Sequence, residues 1–160
     1  MALELPEALY APEQLKACTF EVDRVLGWRR RQDIKRRAGV AETAPDFVIS
    51  RELAGLVGSL EEVAAMSVAQ LEAIQTQLQK WLAQPVTHVT FAVPPTVSTK
   101  LAVVSWFRAQ VDPTALVKFH VNGNIVGGMV VRTPGKIFDF SFRKQLVKRK
   151  SLIPEILKRV

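Results

Sequence analysis

One cysteine and two histidines in 160 residues leave little material for most enzyme chemistry. Cys18 alone excludes an intrachain disulfide framework and any cysteine cluster for zinc or iron–sulfur. His88 and His120 are too few for a histidine-rich metal site. Neither the spacing of a P-loop nor a dinucleotide fingerprint occurs, so no loop is built to cradle phosphate. No stretch approaches the roughly 18 consecutive apolar residues that read as a membrane span. The opening MALELPEALYAPEQLK has no basic residue before Lys16, unlike a signal or transit peptide, and a protein made and kept in the cytoplasm is expected. What is present is a globular balance: 48% apolar residues and 23% charged ones. The 22 Lys and Arg against 15 Asp and Glu give a net charge of +7. The length suits one domain or two small ones.

The pattern changes near Pro85. Before it, the chain reads as helices. Pro12 suits a first helical turn, and Leu15, Cys18, Val22, Val25 and Leu26 recur at spacings of three and four. A basic run follows (Arg29, Arg30, Arg31, Lys35, Arg36, Arg37), and residues 38–45, with Gly39 and Pro45, read as a loop. Ser59 with Glu62, and Ser67 with Gln70, fit capping boxes. The second opens a helix with Leu71, Ile74, Leu78, Trp81 and Leu82 on one stripe. Three to four helices are expected in residues 1–85. Beyond Pro85, Val89, Phe91 and Val93 alternate as in a strand, and Thr96 or Ser98 can cap a helix through Leu101, Val104, Trp106, Phe107 and Val111. Strands are expected from Ala115 to Val121, over 125–132 and over 136–139, with turns at Asn122-Gly123-Asn124 and Pro134-Gly135. Ser141 can N-cap a terminal basic helix, which Pro154 breaks or restarts. The expected fold is α+β: a helical bundle, then residues 86–160 as a small mixed sheet with two packed helices.

The individual candidates have local explanations. A histidine on a half-buried strand face is a packed or hydrogen-bonded residue, or else a catalytic base. Cys18 falls on an apolar stripe and reads as a small buried hydrophobe. Gly127-Gly128 falls inside the expected apolar strand, where paired glycines mark a bulge or the close approach of another backbone. Asp139 and Ser141 read as a strand-ending carboxylate and an N-cap hydroxyl. No nucleophile, base and orienting group can be assembled, which argues against an enzyme. Residues 136–160 hold eight basic and two acidic residues. With Arg29–Arg31 they could meet nucleic acid phosphates, although no helix-turn-helix, paired-aromatic RNA-binding signature or KH-module loop accompanies them.

The run Asn122-Gly123-Asn124-Ile125-Val126-Gly127-Gly128-Met129-Val130-Val131-Arg132 resembles the signature of the delta subunit of F-type ATP synthases, the oligomycin-sensitivity-conferring protein family. Pro134-Gly135-Lys136 stands for that family's turn, Asp139-Phe140-Ser141 for its Asp-x-Ser, and Gln145-Leu146 for its closing helix pair. Asn122 and Gly123 replace the family's usual Asp and Pro, and Phe140 its usual small residue. The similarity covers roughly residues 85–150, and against the family's six-helix N-terminal bundle the first 85 residues are expected to be divergent or reduced. The resemblance implies a peripheral-stalk, or stator, subunit without catalysis, cofactor, metal or small-molecule substrate. Its N-terminal helices would bind the N-terminal segments of the alpha subunits, and its C-terminal part the end of the b subunit, at the cytoplasmic face of a bacterial membrane. Leu15, Val22, Leu71 and Leu78 would then be partner-binding candidates. Phe142, Leu146, Ile153 and Leu157 would form an apolar stripe for the sheet or for the b subunit. The alternative is a small basic RNA- or ribosome-associated protein.

Overall fold

The computed structural model describes residues 3–41, 43–45, 47–125, 127–143 and 147. The chain is α+β and divides into two compact units, Met1–Gln84 and Pro85–Val160.

The first unit is built on α1 (Pro12–Arg37). Pro12 opens it, and the Gln14 side chain accepts hydrogen bonds from the backbone N–H groups of Tyr10 and Ala11 at 3.2 and 3.0 Å. Lys35, Arg36 and Arg37 sit in the last turn, where positive charge suits the helix dipole. The helix ends in a Schellman motif: Gly39, at φ +69°, turns the chain while the N–H groups of Gly39 and Val40 bond the carbonyls of Arg36 and Lys35. Three further helices follow: α2 (Arg51–Val57), α3 (Leu60–Ala65) and α4 (Val68–Leu82). Ser50 caps α2 through its bond from the Leu53 N–H, and Ser50's own N–H reaches Glu21 on α1 at 2.8 Å. The boxes Ser59/Glu62 and Ser67/Gln70 start α3 and α4.

Helix α4 packs along α1. Leu15, Cys18, Val22, Val25 and Leu26 of α1 and Leu71, Ile74, Leu78 and Trp81 of α4 are buried, so the two stripes cover each other. Arg30 pairs with Glu72 at 2.7 Å, and Gln75 donates to Asp23, both across the same helix pair. Cys18 lies in this interior, and burial, with the nearby charges of Glu21 and Glu52, pushes its thiol up to about 11.

In the second unit the strand order is β2-β1-β3-β4, among the described residues. Strand β1 (Val86–Phe91) is central and parallel to β2 (Leu116–Val121); β3 (Met129–Arg132) and β4 (Ile137–Asp139) are antiparallel. The parallel pair needs a crossover, which α5 (Val97–Gln110) supplies. The Thr96 hydroxyl caps α5 by accepting from the Thr99 N–H at 3.2 Å. After α5, Asp112 accepts from both the hydroxyl and the N–H of Thr114, which holds its carboxyl below the usual range.

The strand expected over 125–132 is shorter than the apolar pattern suggested. Gly127 and Gly128 have φ of +80° and +81°, a left-handed step that no strand continues, so pairing starts only at Met129. This step receives the stretch 140–142. The Gly127 carbonyl accepts from the Phe142 N–H at 3.1 Å, and the Met129 carbonyl from the Phe140 N–H at 2.9 Å. A Cβ on Gly128 would collide with the Phe140 carbonyl oxygen and lie 3.1 Å from the Ser141 Cα; one on Gly127 would strike the Phe142 ring. The first strand likewise stops at Phe91, leaving Val93 exposed, and α5 stops at Gln110, leaving Val111 exposed.

Gly128→Ala combines a positive φ with a backbone clash and is expected to lower stability by roughly 2 kcal/mol or more, read as a drop in urea midpoint at an unchanged slope; an unaltered midpoint refutes the close approach. Because the Cys18 thiol stays protonated until pH nears 11, only about one thiol in a thousand is ionised at pH 8. Labelling by a thiol-reactive dye at that pH is expected to be very slow in the native protein and fast in denaturant. Comparable rates in the two states would show that Cys18 is accessible.

Candidate functional site

The crossover helix leaves part of one sheet face bare. Side chains alternate along β3, so Met129 and Val131 share a face, and the β3–β4 register sets Phe138 beside Val131. Phe140, two residues further on, continues the row, its ring 6.4 Å from that of Phe138 and nearly parallel to it. Helix α5 lies against β2 and inserts Val104 and Phe107 into the interior. Its neighbouring residues Ala102, Val103 and Trp106, with Val111, form the opposite wall. The Trp106 ring meets that of Phe107 edge-on at 5.0 Å. The result is a groove of about 510 Å³, with Thr99 and Thr133 as its polar lining residues.

Its walls are large and open to solvent: Trp106 is 58% exposed, Phe140 51% and Phe138 44%. The lining holds no acid, base or thiol. It therefore has nothing with which to move a proton or form a bond beyond two threonine hydroxyls, and its physical capacity is to bury apolar surface. A contiguous exposed apolar patch of this kind marks an interaction site.

The opposite face of the sheet carries the histidines. Parallel pairing of β1 with β2 sets Thr90 beside His120, and His88 reaches His120 with Nδ1 and Nε2 3.0 Å apart. The ring centroids are 5.2 Å apart, close to that bond length plus the two ring radii, so the imidazoles meet edge to edge. Thr90, Val130 and Arg132 complete this recess of about 340 Å³. The facing nitrogens are thus held by one another. Among the described residues no group of three or more His, Cys, Asp or Glu side chains could hold a metal ion.

The residues singled out in the sequence fall in three places. Gly127 and Gly128 form the left-handed step beneath residues 140–142, with Ile125 just before it. Asp139 accepts from the N–H of the buried Ser141 at 2.8 Å, which turns the chain out of β4. Phe142 is exposed and begins a helical stretch with Arg143. Leu15, Val22, Leu71 and Leu78 are all interior to the helical unit, covered by their own neighbours, and as the chain is folded they present no surface to a partner. Val126, Gln145, Leu146, Ile153 and Leu157 lie outside the described residues. Of the basic run, Arg29 donates to the Ala64 carbonyl and approaches Asp33, and Arg30 pairs with Glu72. That leaves fewer free charges for phosphate than the sequence count suggests.

The groove itself was not singled out from sequence. Its signal was there in the alternation Phe138, Phe140 and in the adjacent pair Trp106-Phe107, since two large aromatic residues in succession on one helix point about 100° apart and widen its apolar face.

Among the described residues no helix is long and apolar enough to cross a membrane. Comparison with curated proteins returns no match. The sequence model for the ATP synthase delta (OSCP) subunit matches residues 71–153, just over half the chain, from within α4 through the whole described sheet and its groove. The chain belongs to the ATP synthase delta (OSCP) subunit family.

Proposed function

We propose that this chain is a non-catalytic peripheral-stalk subunit that ties the catalytic head of a rotary F-type ATP synthase to its membrane sector. In this reading it works at the cytoplasmic face of a bacterial membrane without entering the bilayer, and it resists the torque of the rotor during proton-driven synthesis. The observation that carries the proposal is the apolar groove between α5 and the β3–β4 side of the sheet, in the part of the chain that the family match covers. Its form suits an amphipathic helix, whose apolar positions at i, i+3, i+4 and i+7 would fill it. The end of the b subunit is the proposed occupant.

A stator has to hold under load, and apolar burial suits that work. It is non-directional and proportional to the area removed from water, so no single bond has to bear the torque. The rings of Trp106, Phe138 and Phe140 are the expected anchors, since buried aromatic residues dominate binding energy at interfaces. The helical unit would meet the alpha subunits. Leu15, Val22, Leu71 and Leu78 would support that surface from behind, and the exposed Phe20 of α1 would stand on it.

Co-purification from detergent-solubilised membranes with the alpha and b subunits is the expected outcome; finding the endogenous protein wholly outside that complex overturns the proposal. Trp106→Glu and Phe138→Glu alter exposed side chains and are expected to leave the melt unchanged. Each is expected to weaken binding of a soluble b fragment by roughly thirtyfold or more, with binding to the alpha segments retained. Full b affinity in both variants would remove the groove from the interface.

A further inference from the structure

On the face turned away from α5, the sheet holds both of the chain's histidines in direct contact, with Nδ1 of His88 and Nε2 of His120 3.0 Å apart. The ring planes lie within 19° of each other and the rings meet edge to edge, so one N–H lies along the line between the two nitrogens. The contact ties β1 to β2 in addition to their backbone pairing. The strand registers show what else faces it. Lys118 of β2 lies beside His88 on one side and Arg132 of β3 on the other. In the next row Thr90 and Val130 follow His120, and Asp139 of β4 ends it, its carboxylate bonded to the Ser141 N–H. Among the described strand residues of this face, two cations therefore flank the pair, and the one acid stands on the far edge strand.

A count of protons shows what this contact allows. Two neutral imidazoles carry two protons on four ring nitrogens. One proton sits in the bond and the other on the outer nitrogen of the accepting ring, so the only bare outer nitrogen belongs to the donating ring. A third proton binds there, makes the donor a cation and strengthens the bond. A fourth finds only the accepting nitrogen. Bound there, it sets two N–H groups head to head on two cations, with Lys118 and Arg132 alongside. The folded pair thus takes one added proton with its bond intact and a second only by separating. In the unfolded chain both imidazoles charge independently, at roughly pH 6.5. Below that pH the folded state binds fewer protons than the unfolded one, and its stability falls as the pH falls.

We propose that His88 and His120 form a proton-operated clasp between β1 and β2, closed while at most one of the two rings is charged and opened in mild acid when both are. Strand β2 is an edge strand and the one on which α5 packs, so opening the clasp loosens the side of the sheet that carries the crossover helix. Ordinary carboxylates stay ionised until roughly pH 4, so the clasp responds before ion pairs such as Arg30–Glu72 do. The inference concerns the face opposite the groove and holds whatever occupies the groove.

The test uses the full chain, labelled with ¹⁵N, in which the signals of each ring are assigned by their loss in His88→Gln or His120→Gln. At about pH 7.5 a scalar coupling between the facing nitrogens is expected, since one N–H joins them. On acidification it is expected to survive uptake of the first proton and to vanish with the second, which binds in a separate and more acid step. Protection of the β1 and β2 amides from hydrogen exchange, corrected for the intrinsic rate, is expected to fall roughly three- to tenfold between about pH 6.5 and 5, the worth of one hydrogen bond. Protection in α1 and α4 is expected to hold. Glutamine offers both a donor and an acceptor at any pH, so either variant is expected to abolish the fall. No coupling at the higher pH, or both rings charging in one step as free imidazoles do, overturns the proposal. So does a fall of the same size in both variants. Should the variants fail to fold, the coupling and the two-step uptake in the parent chain decide alone.

Discussion

The width of one helix against the width of four strands governs the sheet unit. Neighbouring strands lie about 4.8 Å apart and a helix with its side chains is about 10–12 Å across, so one helix covers roughly two strands. Parallel pairing of β1 with β2 obliges the chain to cross over once, and α5 is that crossover. It lies against β2, while the same face continues, still apolar, across β3 and β4. Met129, Val131 and Phe138 therefore line up beside a helix too narrow to reach across the row, and although Val131 is buried, Phe138 stays open to solvent. The groove follows from that mismatch, and Trp106 and Phe140 raise its two sides.

The groove also needs its far wall held in place, and there the glycine pair acts. Phe140 stands where it does because residues 140–142 lie against the Gly127–Gly128 step, bonded to the carbonyls of Gly127 and Met129. Neither glycine has room for a side chain: the backbone of Phe140 and Ser141 blocks one at Gly128, and the Phe142 ring one at Gly127. Asp139 turns the strand end toward this contact through the Ser141 N–H. The residues that carry the family resemblance thus set the course of the backbone, and exposed aromatic residues beside them supply the surface. This division fits the stator role proposed above: rigidity would come from backbone contacts, and adhesion from the side chains mounted on them.

How much could be read in advance follows the range of each interaction. Ser59/Glu62 and Ser67/Gln70 act within one helical turn, and their capping was readable from spacing alone, whereas the choice of Thr96 over Ser98 at α5 was not. The stripes of α1 and α4 were readable as apolar periodicity. Periodicity shows that a face is buried without naming what buries it; Leu15, Val22, Leu71 and Leu78 lie inside the helical unit, where α4 packs on α1. The start of β3 was misplaced because Ile125 and Met129 flank the glycines with apolar residues, and only the φ angles separate a turn from a strand there. The groove depends on the register of β4 against β3 and on which strand α5 covers, which are long-range facts that no local pattern encodes.

The two units show contrasting ways of leaving a surface unfinished. In the sheet unit the unsatisfied element is apolar: rings held in water because the chain's own helix does not reach them. In the helical unit it is polar: the buried indole N–H of Trp28 has no hydrogen-bond acceptor. Both are costly for an isolated chain, the first through exposed hydrocarbon and the second through an unmet donor. The first calls for an apolar partner surface of the kind proposed above.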